Sequence, residues 1–382
     1  MDHPAPATLP DHLLAQARRR GAAIALRHKR LGIWQARRWR ELADETTRLA
    51  GALATAGFGA GDALVLLTQP RPEALLLSLA AQWLGGVAVP LDPDQPDAAL
   101  QALLRQLAPR HLFVEDETQW RRVSHGGYHL AIYGDARGLA GIAGWTAYAA
   151  LDGGPAPAEP RARPTQPAFA FYRVQADGGI ERQAIAHAEL LQEGMRLVAA
   201  EGLTEHEEAL AARAFAAGGQ ARYLLAPWLL AGFRLNFPES TATRDQDRRE
   251  LGPTLVAGTR ETWGRLADQV QQRLPLPGSL RRRLVDTALA PPRSWPGRLW
   301  HGIAGYWLVR RPLRDVLGLT RTRVPLLVGE PLTEPAARLL AQLGVTVRGW
   351  PDPAQWQGAT GPAVHVTGWQ APDYGATLPQ PG

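Results

Sequence analysis

The chain has 382 residues, of which 45% are hydrophobic and 20% charged, a balance that supports a buried core and excludes disordered and fibrous classes. Its formal charge of +6 is scattered over arginine runs at 18–20, 37–40 and 281–283 without the interleaved aromatics of a nucleic-acid platform, so no nucleic-acid partner is expected. The absence of cysteine rules out disulfides, thiolate nucleophiles and thiolate metal sites, and Lys29, in the polar run 27–30, is the one lysine.

Along the first 150 residues, helical and strand-like patterns alternate. Leu42, Leu49, Leu53 and Ala56 recur at helical spacing, Gly57 supplies a stop, and residues 63–67 read as a buried strand. Residues 74–84 predict a helix broken by Gly85 and Gly86, 87–91 a short strand closed by Pro93, 98–107 a helix, and 112–115 a strand. Such alternation calls for a mainly parallel sheet covered by helices. The Gly/Pro-rich stretch 152–167 marks a loop or linker, which divides the chain into a first α/β subdomain at 1–160 and a second at 161–382. The second opens with a hairpin over 169–186, a helix from His187, a helix ending at Gly232 and a strand at 233–237. A strand at 254–257, helices through about residue 317, a strand at 324–328, a helix at 333–343 and a strand at 345–348 follow, and the tail 358–382 reads as short strands or loops. The start MDHPAPATLP lacks a basic-then-apolar leader and no apolar run reaches about 18 residues, so a cytoplasmic location is expected.

Three islands stand in order: RELADETTRLAGALATAGFGAGDALVLLTQPRPEALLLSLAAQWLGGVAVPLDP, then WLLAGFRLNFPE with ELGPTLVAGTRETWGRL, then GEPLTEPAARLLAQLGVTVRGW. Together they resemble the AMP-forming acyl-CoA synthetase superfamily, its long-chain fatty acyl-CoA ligases above all. The resemblance implies an α/β fold, two subdomains of mainly parallel sheet flanked by helices, as in the large domain of such a ligase. It also implies an ATP-handling loop of the type YTSGTTGxPKG followed by histidine, in which small glycines and hydroxyls approach phosphates and lysine adds charge. Tyr172, Gly178, Gly179 and His187 stand at those places, but Arg173, Val174, Ala176 and Asp177 replace the hydroxyl positions and Glu181 replaces the lysine. Glu181 would repel a triphosphate, and the same residues suit a plain hairpin turn around the two glycines.

The family's YGxTE motif, approached through Gly329, falls on Trp350, Pro351, Asp352, Pro353 and Ala354, without its threonine or its magnesium-binding glutamate. Asp352 is the carboxylate left there, between prolines that favour a rigid turn. The resemblance makes Arg260 and Trp263 acyl-pocket candidates. The end LPQPG resembles the strand before the family's ribose-binding aspartate, with the hinge and small lid domain lacking. No paired histidines show metal-ligand spacing, so no metal site is expected. The segment 293–314 sets Trp295, Trp300, Tyr306 and Trp307 among arginines, which suits either a packed helix or peripheral contact with an anionic membrane.

Two functions are expected from these readings. The first is a catalytically impaired, acyl-CoA-synthetase-like pseudoenzyme that binds a fatty acyl or other carboxylate ligand or docks a partner. The second is an active AMP-forming fatty acid–CoA ligase completed by a separate protein that supplies the lid domain, and only there are ATP and magnesium expected.

Overall fold

A computed structural model describes residues 7–290, 305–352 and 356–358. Its strands in chain order are β1 (Ile24–Arg30), β2 (Ile33–Arg38), β3 (Ala63–Leu67), β4 (Val87–Leu91), β5 (His111–Val114), β6 (Leu130–Tyr133), β7 (Trp145–Ala147), β8 (Pro167–Val174), β9 (Ile180–Ala186), β10 (Glu208–Leu210), β11 (Arg234–Phe237), β12 (Leu255–Gly258), β13 (Val324–Val328), β14 (Arg348–Trp350) and β15 (Gln357–Gly358). They form a seven-stranded sheet in the order β14-β13-β12-β10-β11-β1-β2 and an eight-stranded sheet in the order β15-β9-β8-β4-β3-β5-β6-β7. Neighbours run parallel except at one edge of each sheet, where β2 turns back on β1, β9 on β8, and β15 on β9. The expected α/β class, with mainly parallel sheets flanked by helices, is the observed one.

Successive strand side chains point to opposite faces, so a strand buried on both faces reads as an unbroken apolar run. In β3, Leu64 and Leu66 enter one core cluster while Val65 and Leu67 enter another. In β13, Val324, Leu326 and Val328 face the same central cluster and Leu327 faces outward. That central cluster joins both sheets through the helices Trp39–Thr55, Pro72–Trp83 and His187–Glu201 and the helical run ending at Ala231. Within it Trp39 stacks on Trp228 at 4.7 Å, and the Trp228 indole N–H donates to the Ala25 carbonyl at 3.0 Å. The helix Asp97–Leu107 covers the outer face of the eight-stranded sheet, and Arg260–Arg273 with Glu334–Gln342 covers that of the other. Each fully buried leucine in these layers contributes about 1.5–3 kcal/mol.

Sheet membership does not follow the division of the chain near residue 160. Strands β1 and β2 join the seven-stranded sheet with β10 to β14, whereas β8 and β9 complete the eight-stranded sheet begun by β3 to β7. The polar run 27–30 turns out to be part of β1. His28 and Lys29 are buried there because β1 lies inside the sheet between β11 and β2.

A candidate ligand cleft at the strand ends

In a parallel sheet the loops leaving the carboxyl ends of the strands are the natural place for a ligand. Both sheets here direct such loops into one cleft of about 380 Å³. Gln69 follows β3, Asp92 and Asp94 follow β4, Arg213 follows β10, Arg244 follows β11, Thr259 and Arg265 follow β12, and Asp352 follows β14. The lining is strongly polar. An adjoining apolar pocket between Leu66, Leu75, Phe169, Phe215 and Leu225 holds only about 10 Å³.

On the seven-stranded side, Arg213 donates to the Thr259 hydroxyl at 2.7 Å and lies 3.3 Å from the exposed Glu261 carboxylate. Arg265 and Arg248 share Asp245 at 2.5 and 3.0 Å, and Gln269 donates to the same carboxylate at 2.7 Å. Burial, opposed by Asp245, brings the Arg248 guanidinium down to about 10. Arg244 donates from Nη1 to the Ala212 carbonyl at 3.3 Å, while its Nε is buried with no hydrogen-bond partner. Burial and then the nearby Arg265 and Arg213 push its pKa down.

The residues singled out by sequence are dispersed around this cleft. Tyr172 lies in β8 inside the outer core cluster, and burial raises its phenol pKa. Gly178 and Gly179 form a tight turn between β8 and β9, with Gly178 at φ +85° and closure by Gln175 N–H to the Gly179 carbonyl at 2.7 Å. Asp177 Oδ1 accepts from the Gly179 N–H at 2.8 Å, Arg173 pairs with Glu181 at 2.6 Å across the hairpin, and the Arg173 guanidinium lies 4.3 Å from the Trp356 ring centre. His187 begins the helix His187–Glu201 and is buried. Its Nδ1 accepts from the Leu9 N–H at 3.2 Å, its Nε2 has no partner, and burial brings its pKa down to about 3. None of Tyr172, Gly178, Gly179 and His187 lines the cleft.

Gly329 and Trp350 stand beside it, one residue after Val328 and two before Asp352. Gly329 turns at φ +88° and donates to the Trp350 carbonyl at 3.0 Å. Asp352 is bound to Arg222 at 3.0 Å, and Arg222, only 1% exposed, also pairs with Glu189 at 3.1 Å and Glu193 at 2.5 Å. Arg222 sits in a wide π-type turn over Ala221–Leu225, an irregularity that recurs at functional sites. Burial, opposed by Arg222, pushes the Glu193 carboxyl up to about 7. Among the described residues, no group of three or more His, Asp or Glu is arranged to hold a metal ion. Asp352, already paired with a guanidinium, is a poor cation ligand, and Ala354 lies outside the described residues.

Trp263 does not line the cleft. It fills the core behind β12 and β13, fully buried, with its indole N–H donating to the Leu326 carbonyl at 2.9 Å. Arg260 is exposed and paired with exposed Glu330 at 3.1 Å. Sequence reading missed Arg213, Arg244 and Arg265. Arg213 stands three residues after β10, which is itself three residues long and carries little pattern, while Arg244 and Arg265 lie on the helices that follow β11 and β12. Of the segment 293–314, residues 305–314 are described. Trp307 and Leu308 are exposed there beside exposed Leu280 and Leu284, with the Arg311 guanidinium 4.4 Å from the Trp307 ring centre. No helix among the described residues is long and apolar enough to cross a membrane.

Comparison with known proteins gives a consistent picture. Residues 13–350 match the family described as AMP-binding enzyme. A fatty acid–[acyl-carrier-protein] ligase, MmaC, of Mycobacterium marinum is 38% identical over 95 residues, 25% of this chain and 18% of that protein. The chain thus matches less than a fifth of the length of such curated relatives. The N-terminal subdomain of NpsA from Klebsiella oxytoca, solved with 3-hydroxyanthranilyl-AMSN, superposes with a TM-score of 0.63 at 17% identity, covering 92% of this chain and 75% of that one. The A-PCP didomain of carboxylic acid reductase from Segniliparus rugosus, in complex with AMP, does so with a TM-score of 0.68 at 14% identity, covering 91% and 52%.

Proposed function

Because the chain belongs to the AMP-binding enzyme family, we propose that it binds a carboxylic acid in the cleft at its strand ends while its own residues do not carry out adenylation. The observation that carries this reading is the closed hairpin between β8 and β9. Where a phosphate loop needs free backbone donors and a cation, this turn spends its amides on Asp177 and Gln175 and sets Glu181 against Arg173. Lys29 is no substitute, being held between Asp247, at 2.9 Å, and Glu250. The protein then acts as an acid-binding or partner-docking module. Peripheral contact with an anionic membrane through the exposed Trp307 and Leu308 face is the second contact we assign to it.

The competing reading is an active acyl-adenylating ligase that takes its lid from another polypeptide, and the open cleft between the two sheets favours it. ATP and magnesium belong to that reading alone. Acid-dependent exchange of labelled pyrophosphate into ATP separates the two. We expect no exchange above a protein-free control with acids that bind measurably. Exchange abolished by a Tyr172 or Gly178 substitution would establish the ligase.

A further inference from the structure

Three guanidinium groups, from Arg213, Arg244 and Arg265, line the seven-stranded side of the cleft, and buried Arg248, outside the lining, shares Asp245 with Arg265, so four guanidiniums face the two carboxylates of Asp245 and Glu261. Glu261 is 81% exposed, so its pairing with Arg213 is weakened by solvent. Asp245 is occupied by Arg248, Arg265 and Gln269 and stands 3.8 Å from Arg244 Nε, beyond hydrogen-bond distance. Arg244 is therefore left with a buried, unpartnered Nε and one hydrogen bond to a neutral carbonyl. Holding like charges together in a partly buried place costs free energy that an arriving anion recovers, and a guanidinium offers paired donors matched to carboxylate and phosphate oxygens. The opposite wall differs. Asp92 and Asp94 are exposed there and Asp94 accepts from Gln69 at 2.7 Å, while Asp352, which follows β14 on the seven-stranded side, is already bound to Arg222. An anion is thus directed to the arginine cluster and away from the wall that carries Asp92 and Asp94.

We propose that Arg213, Arg244 and Arg265 form a seat for a second anionic group of the ligand, so that the acid bound here is short and doubly charged instead of a long-chain fatty acid. The inference rests on the cleft being the acid-binding site. Its size agrees, since about 380 Å³ suits a small polar molecule and the adjoining apolar pocket of about 10 Å³ admits no alkyl tail.

Titration calorimetry of the whole chain with octanoate, with its α,ω-dicarboxylate suberate and with inorganic phosphate tests the proposal. We expect suberate to bind at least about tenfold more tightly than octanoate, as a charge-assisted hydrogen-bonded pair would give. Arg244→Gln should abolish that preference, and Arg244→Lys should keep part of it. Both variants are to match the parent in thermal unfolding, and Arg213→Gln supplies a second readout if Arg244→Gln does not. Equal or tighter binding of octanoate by the parent, with no phosphate binding that depends on Arg244, overturns the anion seat and leaves the acid-binding reading standing. Phosphate binding that Arg244→Gln removes, with suberate no better than octanoate, supports the seat and assigns it to a phosphate group. Absence of binding by all three overturns the reading of the cleft itself.

Discussion

The ammonium of Lys29 is held by two carboxylates, those of Asp247 and Glu250. Its neighbours Arg27, His28 and Arg30 make a polar run, yet β1 is an interior strand and the ammonium is 6% exposed between Asp247, at 2.9 Å, and Glu250. Nothing local announces this, because the carboxylates that hold it lie more than 200 residues away. Breaking a buried pair by removing one partner leaves an uncompensated charge, so Lys29→Met should lower unfolding free energy by roughly 3–5 kcal/mol. Adding Asp247→Asn should restore a large part of it. A urea-unfolding double-mutant cycle measures this, and a single variant as stable as the parent would mean that the pair contributes nothing. Trp263 teaches the converse. The family resemblance offered it as a pocket residue, but a matching motif position does not tell a side chain that lines a cavity from one that fills a core, and here it is fully buried against the Leu326 carbonyl.

At the scale of elements, legibility followed length and periodicity. Strands β3, β4 and β13 stand at the residues expected for them because each is an unbroken apolar run between turn residues. The β8–β9 hairpin was legible from its alternation and paired glycines. The three-residue β10 was not, and with it went Arg213 and one wall of the cleft. The helix Leu280–Leu289 and the adjoining segment Tyr306–Arg310 pack together and leave Leu276, Leu280, Leu284, Trp307 and Leu308 exposed among Arg281, Arg283 and Arg311. Rings and alkyl groups flanked by cations suit the headgroup layer of an anionic bilayer, where each cation contributes about 1 kcal/mol and salt screens the attraction. Vesicles containing phosphatidylserine should therefore co-sediment the protein. Pure phosphatidylcholine should do so far less, and added salt or combined Arg281→Gln, Arg283→Gln and Arg311→Gln changes should release it. Equal recovery on both vesicles would refute the contact.

Across the whole molecule, buried ionisable groups set the response to acid. His28 is brought down to about 4 and His187 to about 3, in both cases chiefly by burial, and His111 is lowered for the same reason. Below about 6.5 the unfolded chain takes up protons that these folded imidazoles refuse, so stability falls as pH drops from there towards 3–4, by about 1.4 kcal/mol per pH unit for each withheld proton. Glu193 acts in the opposite sense. Its carboxyl at about 7 holds a proton in the fold that the unfolded chain releases above about 4.5, so acidification through that window favours the fold and offsets one histidine. Unfolding free energies measured from pH 7.5 to 4 should decline, and Glu193→Gln should steepen the decline between pH 6.5 and 4.5. A flat profile in both proteins would contradict this balance. The α/β class and the chain positions of many strands were legible from the sequence. The shared central core was not, since which strands neighbour one another depends on contacts far apart in the chain.

Because β1 pairs with β11 through Leu26 and Leu235, the N-terminal hairpin leaves the ribosome long before its neighbour exists. Roughly 200 residues must be made in the interval, about 10–40 s at ordinary translation rates. Meanwhile strands β3 to β9 emerge in one stretch and are free to pair among themselves. The hairpin β1–β2 waits with one edge unsatisfied, the kind of surface that captures a second nascent chain on the same message. Synthesis speed before residue 234, and the holding chaperones available during it, thus bear on how much correctly assembled protein a cell obtains.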